Sequence, residues 1–263
     1  MLTLPFLMLD YLLSFVFLLP LQDDRGRHQS FPTMTAALIL VNTLIHGFVY
    51  YVLPPWIGDE ESWLNLMLNM MLVPADVLAG QGLGALSVIS SAFLHADWSH
   101  LIGNMFFLYF FGRKLEDALG PAKFGLFYLV CVFVSGIASV LGEATLPVSQ
   151  GSIPALGASG AVMGIVAAYL FLYHEQRIRT LAFLAVIPIP VRLYMPAWVF
   201  ILYTVMRDIM RGYLEQQFQA HGYLYSLVGS FAHLGGLIAG LTCVYLFLPP
   251  ELIYYRHRPD ATQ

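Results

Sequence analysis

The chain has 263 residues, 59% of them hydrophobic and only 11% charged, with a formal net charge of −4 and a mean hydropathy of +0.72. Soluble domains carry about 25% charged residues, so an ordinary soluble fold is excluded and a polytopic membrane protein is indicated. No basic field is present to attract nucleic acid, which leaves the lipid bilayer and the segments that enter it as the expected partners.

The first 21 residues are apolar, but Asp10 interrupts them, prolines stand at 5 and 20, and no Lys or Arg precedes the run. Neither the positive start nor the small-residue cleavage site of a secretory signal is evident. The segment is expected to be an extra spanning helix, an interfacial piece or a mis-assigned start. It precedes a membrane domain over 22–250 and a tail over 251–263. After a polar linker, residues 34–53 supply the roughly twenty apolar residues that a crossing needs. Residues 54–98 form the longest connection, with Asp59, Glu60, Glu61, Asp76 and Asp97 but no Lys or Arg. Its middle, 63–77, is amphipathic and suits a helix lying in the interface.

Further spans are expected at 101–119, 124–141, 158–173, 196–210 and 224–248. The predicted fold is therefore all-α, a six-helix membrane bundle with a possible extra N-terminal segment. Cys131 and Cys243 lie inside spans and read as packing residues rather than a disulfide or metal site. Ten of the twelve Lys and Arg fall in connections on one side of such a bundle, with only Arg207 and Arg211 on the other. The positive-inside rule then puts the core termini and the 251–263 tail in the cytoplasm and the acidic 54–98 connection outside, as in a bacterial inner membrane.

Two stretches carry the chemistry. Gly157-Ala158-Ser159-Gly160 opens a span of only about sixteen residues, ~24 Å of a ~30 Å core, which sets Ser159 below the outer surface at a helix N-terminus. The irregular backbone before it must dip into the membrane, which is tolerated only where protein or water satisfies it. His233, in Ala232-His233-Leu234-Gly235-Gly236, is expected about ten residues into the last span. A histidine within a span is rare and marks a functional position. Gly229, Gly236 and Gly240 share its helical face, and Gly160 with Gly164 offer a matching small-residue surface. Close helix approach could bring the Ser159 hydroxyl within reach of His233, the geometry of an activated nucleophile. Packing alone, with His233 as an interhelical hydrogen bond, is the competing reading.

A third constellation is His95 through Asn104. His100 and Asn104 are four apart, on one helical face near the outer end of a span, where they could donate to a developing oxyanion. Metal binding by His95, His100 and His233 is weakly supported, because a five-residue spacing turns two helical histidines about 140° apart and no Cys or carboxylate completes a ligand set. Ser159 is not an α/β-hydrolase elbow, since Ala161 stands where glycine is required.

Taken in order, His95-x4-His100-Leu101-x2-Asn104, Phe111-Gly112-x3-Glu116, Gly157-Ala158-Ser159-Gly160 and Ala232-His233-x2-Gly236-x3-Gly240 resemble the rhomboid family of intramembrane serine proteases over about residues 20–250. The resemblance implies Ser159 as nucleophile and His233 as general base in a dyad, with His100, Asn104 and the Ser159 amide as oxyanion hole. It implies no cofactor and no metal. Gly157, Gly160, Met163, Gly236, Gly240 and His95 would shape the site, and the fifth span with the 211–223 connection would gate it. Substrates would be transmembrane protein segments cut near their outer ends. A non-catalytic rhomboid-like binder of membrane segments in quality control is the alternative, although such proteins usually lack the serine or the histidine. Two positions depart from the common pattern: Met163 replaces an aromatic four residues after the serine, and no Trp-Arg pair occurs in the first outer connection. Asp208, flanked by Arg207 and Arg211, reads as an ion-pair residue rather than a third catalytic group. Glu116 reads as a structural partner that caps or pairs near the inner end of its span.

Overall fold

The computed structural model describes residues 16–24, 31–145, 152–184, 187–220 and 229–249. Two units are distinguished, one formed by Met1–Arg27 with Leu170–Ser230 and the other by His28–Tyr169 with Phe231–Gln263. The protein is mostly helical, as the sequence predicts, and a helix stands on each expected span.

In the larger unit, α1 (Thr33–Ile57) is one continuous helix with a π-turn at Phe48–Val52. Its N-terminus begins after Pro32, which offers no side-chain cap. Glu116 supplies one from 83 residues away. Its Oε1 accepts from Met34 N at 2.8 Å and Thr33 Oγ1 at 3.2 Å, and its Oε2 from Thr35 N at 2.8 Å and Thr35 Oγ1 at 2.7 Å. The structural role expected of Glu116 is thus met, at the end of a different helix from its own.

The 54–98 connection folds into α2 (Glu60–Met70), α3 (Pro74–Ala79) and α4 (Gly84–Phe93). Asp59 caps α2 by accepting from Ser62 N at 2.7 Å. The amphipathic 63–77 stretch is not one helix: it breaks where Leu72 pairs with Ala155 in an isolated β-bridge. Pro74 at the start of α3 removes a donor that an uninterrupted helix would need. Helix α5 runs through Trp98–Phe107, a π-turn at Leu108–Gly112 and Arg113–Leu119, and α6 follows at Pro121–Glu143.

Helix α7 (Ser159–Tyr173) is short and apolar all round, and Ala161 through Tyr169 are all buried. A helix without a polar face is a core element. Phe111 of α5 meets Tyr169 edge-on at 4.9 Å between centroids. The last helix, α9 (Ser230–Phe247), reaches α6 through Phe127 and Phe247, 5.6 Å apart. Among the described residues three helices, α1, α6 and α9, are long and apolar enough to cross a membrane.

The smaller unit corrects one expectation. Residues 16–23 form β1 (Val16–Asp23), and the joint between the fourth and fifth expected spans is a hairpin of β2 (Arg177–Leu184) and β3 (Ile187–Pro196). They make an antiparallel sheet in the order β1-β2-β3. A short apolar run reads equally as buried helix or strand, which is why β1 passed for part of a span. Its Pro20 sits beside a bulge in an edge strand, where a missing N–H is tolerated. Residues 1–15, on which the rest of the N-terminal expectation falls, lie outside the described residues. Helix α8 (Ala197–Ala220) follows β3 directly and extends ten residues beyond the expected 196–210 span. The expected gate around 211–223 lies partly outside the described residues.

Candidate active site

Ser159 is the first residue of α7. Three main-chain bonds hold the described backbone just before it: Leu72 N donates to Ala155 O at 2.9 Å, Ala155 N to Leu72 O at 2.8 Å, and Gly157 N to Ser91 O at 2.9 Å. The irregular entry that the sequence predicts is therefore clamped by α4 and by the break between α2 and α3. Gly157 sits at φ +120°, a conformation that side chains other than glycine rarely adopt. The first-turn amides of a helix have no carbonyl behind them, and the positive end of the α7 dipole lies at the serine.

His233 lies in the first turn of the described part of α9, with the preceding residues of the expected span outside the description. Its ring is buried and its Nε2 stands 2.6 Å from Ser159 Oγ. Bare backbone permits this distance. A Cβ on Gly160 would come within 3.2 Å of Ala232 O and 2.6 Å of Ser135 Oγ, and one on Gly164 within 3.0 Å of Gly236 O. From the opposite side, a Cβ on Gly236 would stand 2.8 Å from the Gly160 carbonyl carbon, and one on Gly240 2.8 Å from that of Gly164. The two glycine stripes thus press α7 and α9 together while Ser135 of α6 fills the remaining groove.

His100 and Asn104 project from α5 over Gly157, two residues before the serine. A Cβ on Gly157 would lie 2.8 Å from His100 Cε1, 2.9 Å from its Nε2 and 3.7 Å from Asn104 Nδ2. Asn104 Nδ2 is buried without a hydrogen-bond partner among the described residues. A buried donor left unpaired is costly, and it is poised here for an acceptor that arrives. The His100 ring is also near enough to His233 for their charges to interact. Asp97 caps α5, its Oδ1 accepting from His100 N at 2.8 Å and from Ser99 Oγ at 2.7 Å. Those two bonds, the Ser99 hydroxyl first, hold the Asp97 carboxyl below the usual carboxylate range.

Behind His100, His95 is fully buried, its ring edge-on to that of His100 at 5.2 Å. Burial, reinforced by the neighbouring His100 and His46, lowers the His95 pKa to about 3, so the ring is neutral at any ordinary pH. Met163 is buried one turn beyond the serine. The sequence reading passed over three contributors. His46 of α1 bonds the His95 backbone and packs edge-on against Trp98 at 4.7 Å, Ser91 accepts from Gly157, and Ser135 wedges against Gly160. A buried histidine within a span is itself a signal, which His46 carried. Ser91 acts through its main chain, which no side-chain pattern announces.

A family model described as the Rhomboid domain matches residues 84–250. RHOMBOID-like protein 6, mitochondrial, of Arabidopsis thaliana is 29% identical over 168 residues, 61% of this chain and 43% of that one. Rhomboid-like protein 11, chloroplastic, of the same plant is 29% identical over 60% of this chain and 51% of its own. Rhomboid protein 1, mitochondrial, of Saccharomyces cerevisiae is 30% identical over 78% of this chain and 50% of its own. The chain spans about half the length of these curated relatives.

Proposed function

We propose that this chain, which belongs to the rhomboid family, is an intramembrane serine endopeptidase that cleaves transmembrane protein segments near their outer ends. The observation that carries the reading is the 2.6 Å approach of His233 Nε2 to Ser159 Oγ inside an apolar helix bundle. A neutral imidazole with its proton on Nδ1 accepts through Nε2, so His233 takes the serine proton as Oγ adds to the scissile carbonyl. The oxyanion that forms draws hydrogen bonds from Asn104 Nδ2, His100 and the Ser159 amide, and the α7 dipole favours its charge. As the tetrahedral species collapses, the C–N bond breaks and His233 protonates the leaving amine. Water then repeats the addition on the acyl-serine with His233 again as base, releasing the acid and free enzyme. No metal or cofactor enters this scheme.

Six crossings with the site toward the outer side of a bacterial cell membrane complete the proposal, supported by the one-sided distribution of Lys and Arg. Purified protein in detergent is expected to cut a reporter transmembrane segment with small residues near its outer end, while Ser159→Ala and His233→Ala do not. If wild type leaves several such segments intact yet captures them, the chain is a binder and the protease reading fails.

A further inference from the structure

We propose that the three-stranded sheet is a binding site for an anionic phospholipid, with the lipid phosphate held by Arg177, Arg179 and Arg192. Pairing fixes which side chains share a face. Arg179 stands opposite Gln22 on one side and Tyr194 on the other, and Leu181 stands between Leu19 and Arg192. Side chains alternate along a strand, so Arg177, Arg179, Leu181 and Phe183 point one way and Ile178, Thr180 and Ala182 the other. Burial agrees: the second set is buried, whereas Arg177, Arg179 and Phe183 are exposed.

The exposed face is divided along its length. One end carries Arg177 and Arg179 with Gln22 and Tyr194, the next row sets Arg192 beside Leu181 and Leu19, and Phe183 lies beyond them toward the hairpin. A cleft of about 540 Å³ opens at the basic end, lined by Gln22, Arg179, Arg192 and Tyr194 among others. Asp24 accepts from the Tyr194 hydroxyl, and Glu175 lies 3.7 Å from His174. Arg177 sits over the Tyr194 ring at 5.4 Å, and among the described residues neither Arg179 nor Arg192 forms an ion pair. Two forked guanidinium groups beside a phenol and an amide match a phosphate, and the adjoining apolar half suits acyl chain. Short connections tie the sheet to two expected spans, since β2 begins four residues after α7 ends and α8 begins where β3 stops. By the charge asymmetry this is the cytoplasmic side, whose leaflet is rich in anionic lipid.

The test uses the full chain in nanodiscs of phosphatidylglycerol and phosphatidylcholine in equal parts, with the lipid retained after extraction counted by native mass spectrometry. Wild type is expected to keep phosphatidylglycerol in preference. Taking the attraction of a basic residue at a membrane surface, Arg179→Gln with Arg192→Gln should reduce that preference by roughly tenfold or more. Arg192→Gln alone, on an edge strand, serves if the double variant melts, with a loss of about fivefold. Equal retention of both lipids by wild type, or unchanged retention by the variants, overturns the proposal. Complete displacement by excess inorganic phosphate would assign the site to the free anion and overturn it as a lipid site.

Discussion

Asn104 and Gly157 make the residue-scale argument. Among the described residues Asn104 keeps its amide nitrogen unpaired, so in the proposed mechanism its contribution comes when an oxyanion forms. Replacing one such donor typically lowers kcat by ~10²–10³, and Asn104→Leu is expected to do so while KM and melting temperature change little. Steady-state cleavage kinetics and a melt in detergent check it, and an equal loss in kcat and thermal stability would make the residue structural. Gly157→Ala strikes the same centre from the other side. At φ +120° the added methyl is strained, and it would stand against His100. We expect cleavage to be lost while the α7–α9 contact survives, shown by a cooperative melt lowered by no more than the ~1–3 kcal/mol of that local strain.

At the scale of helices, the glycine stripes and the Glu116 cap decide stability. A methyl on Gly236 meets the backbone of Gly160, which cannot move aside as a flexible side chain would. Gly236→Ala should destabilise by about 1–3 kcal/mol or more and displace His233 from the serine, lowering melting temperature and activity together. Glu116→Ala removes four hydrogen bonds from the start of α1. The expected loss is about 2 kcal/mol with the dyad intact, visible as a lowered melt and normal cleavage at low temperature. The stripes were legible because glycines recurring at helical spacing within an apolar span mark the face where another helix comes close. Ser159, His233 and Asn104 stand out as candidates because each is a polar group in an apolar run. The sheet was not, although Ile178, Thr180 and Ala182 alternate with Arg177 and Arg179. So short an alternation between long apolar spans looks like a joint, and pairing with β3 just downstream and with β1 over 150 residues upstream makes it a strand. The capping of α1 by Glu116 was likewise hidden, since the pattern places the carboxylate but not its partner.

For the whole molecule, acid acts on the fold. Stability falls through His95, whose ordinary value of 6.5 becomes about 3 in the folded protein. Between those values the unfolded chain binds a proton that the folded chain refuses, so the His95 contribution is full above ~6.5 and is lost as pH falls toward 3. His95→Gln should flatten that limb of a melting-temperature profile, and a profile with the same slope would place the acid sensitivity elsewhere. The cap on α1 reaches beyond equilibrium. Chains are made at about 5–20 residues per second, so Glu116 leaves the ribosome several seconds after Thr33. Through that interval the opening turn of α1 has its amides uncovered, and the helix start waits on an acid that is still being made.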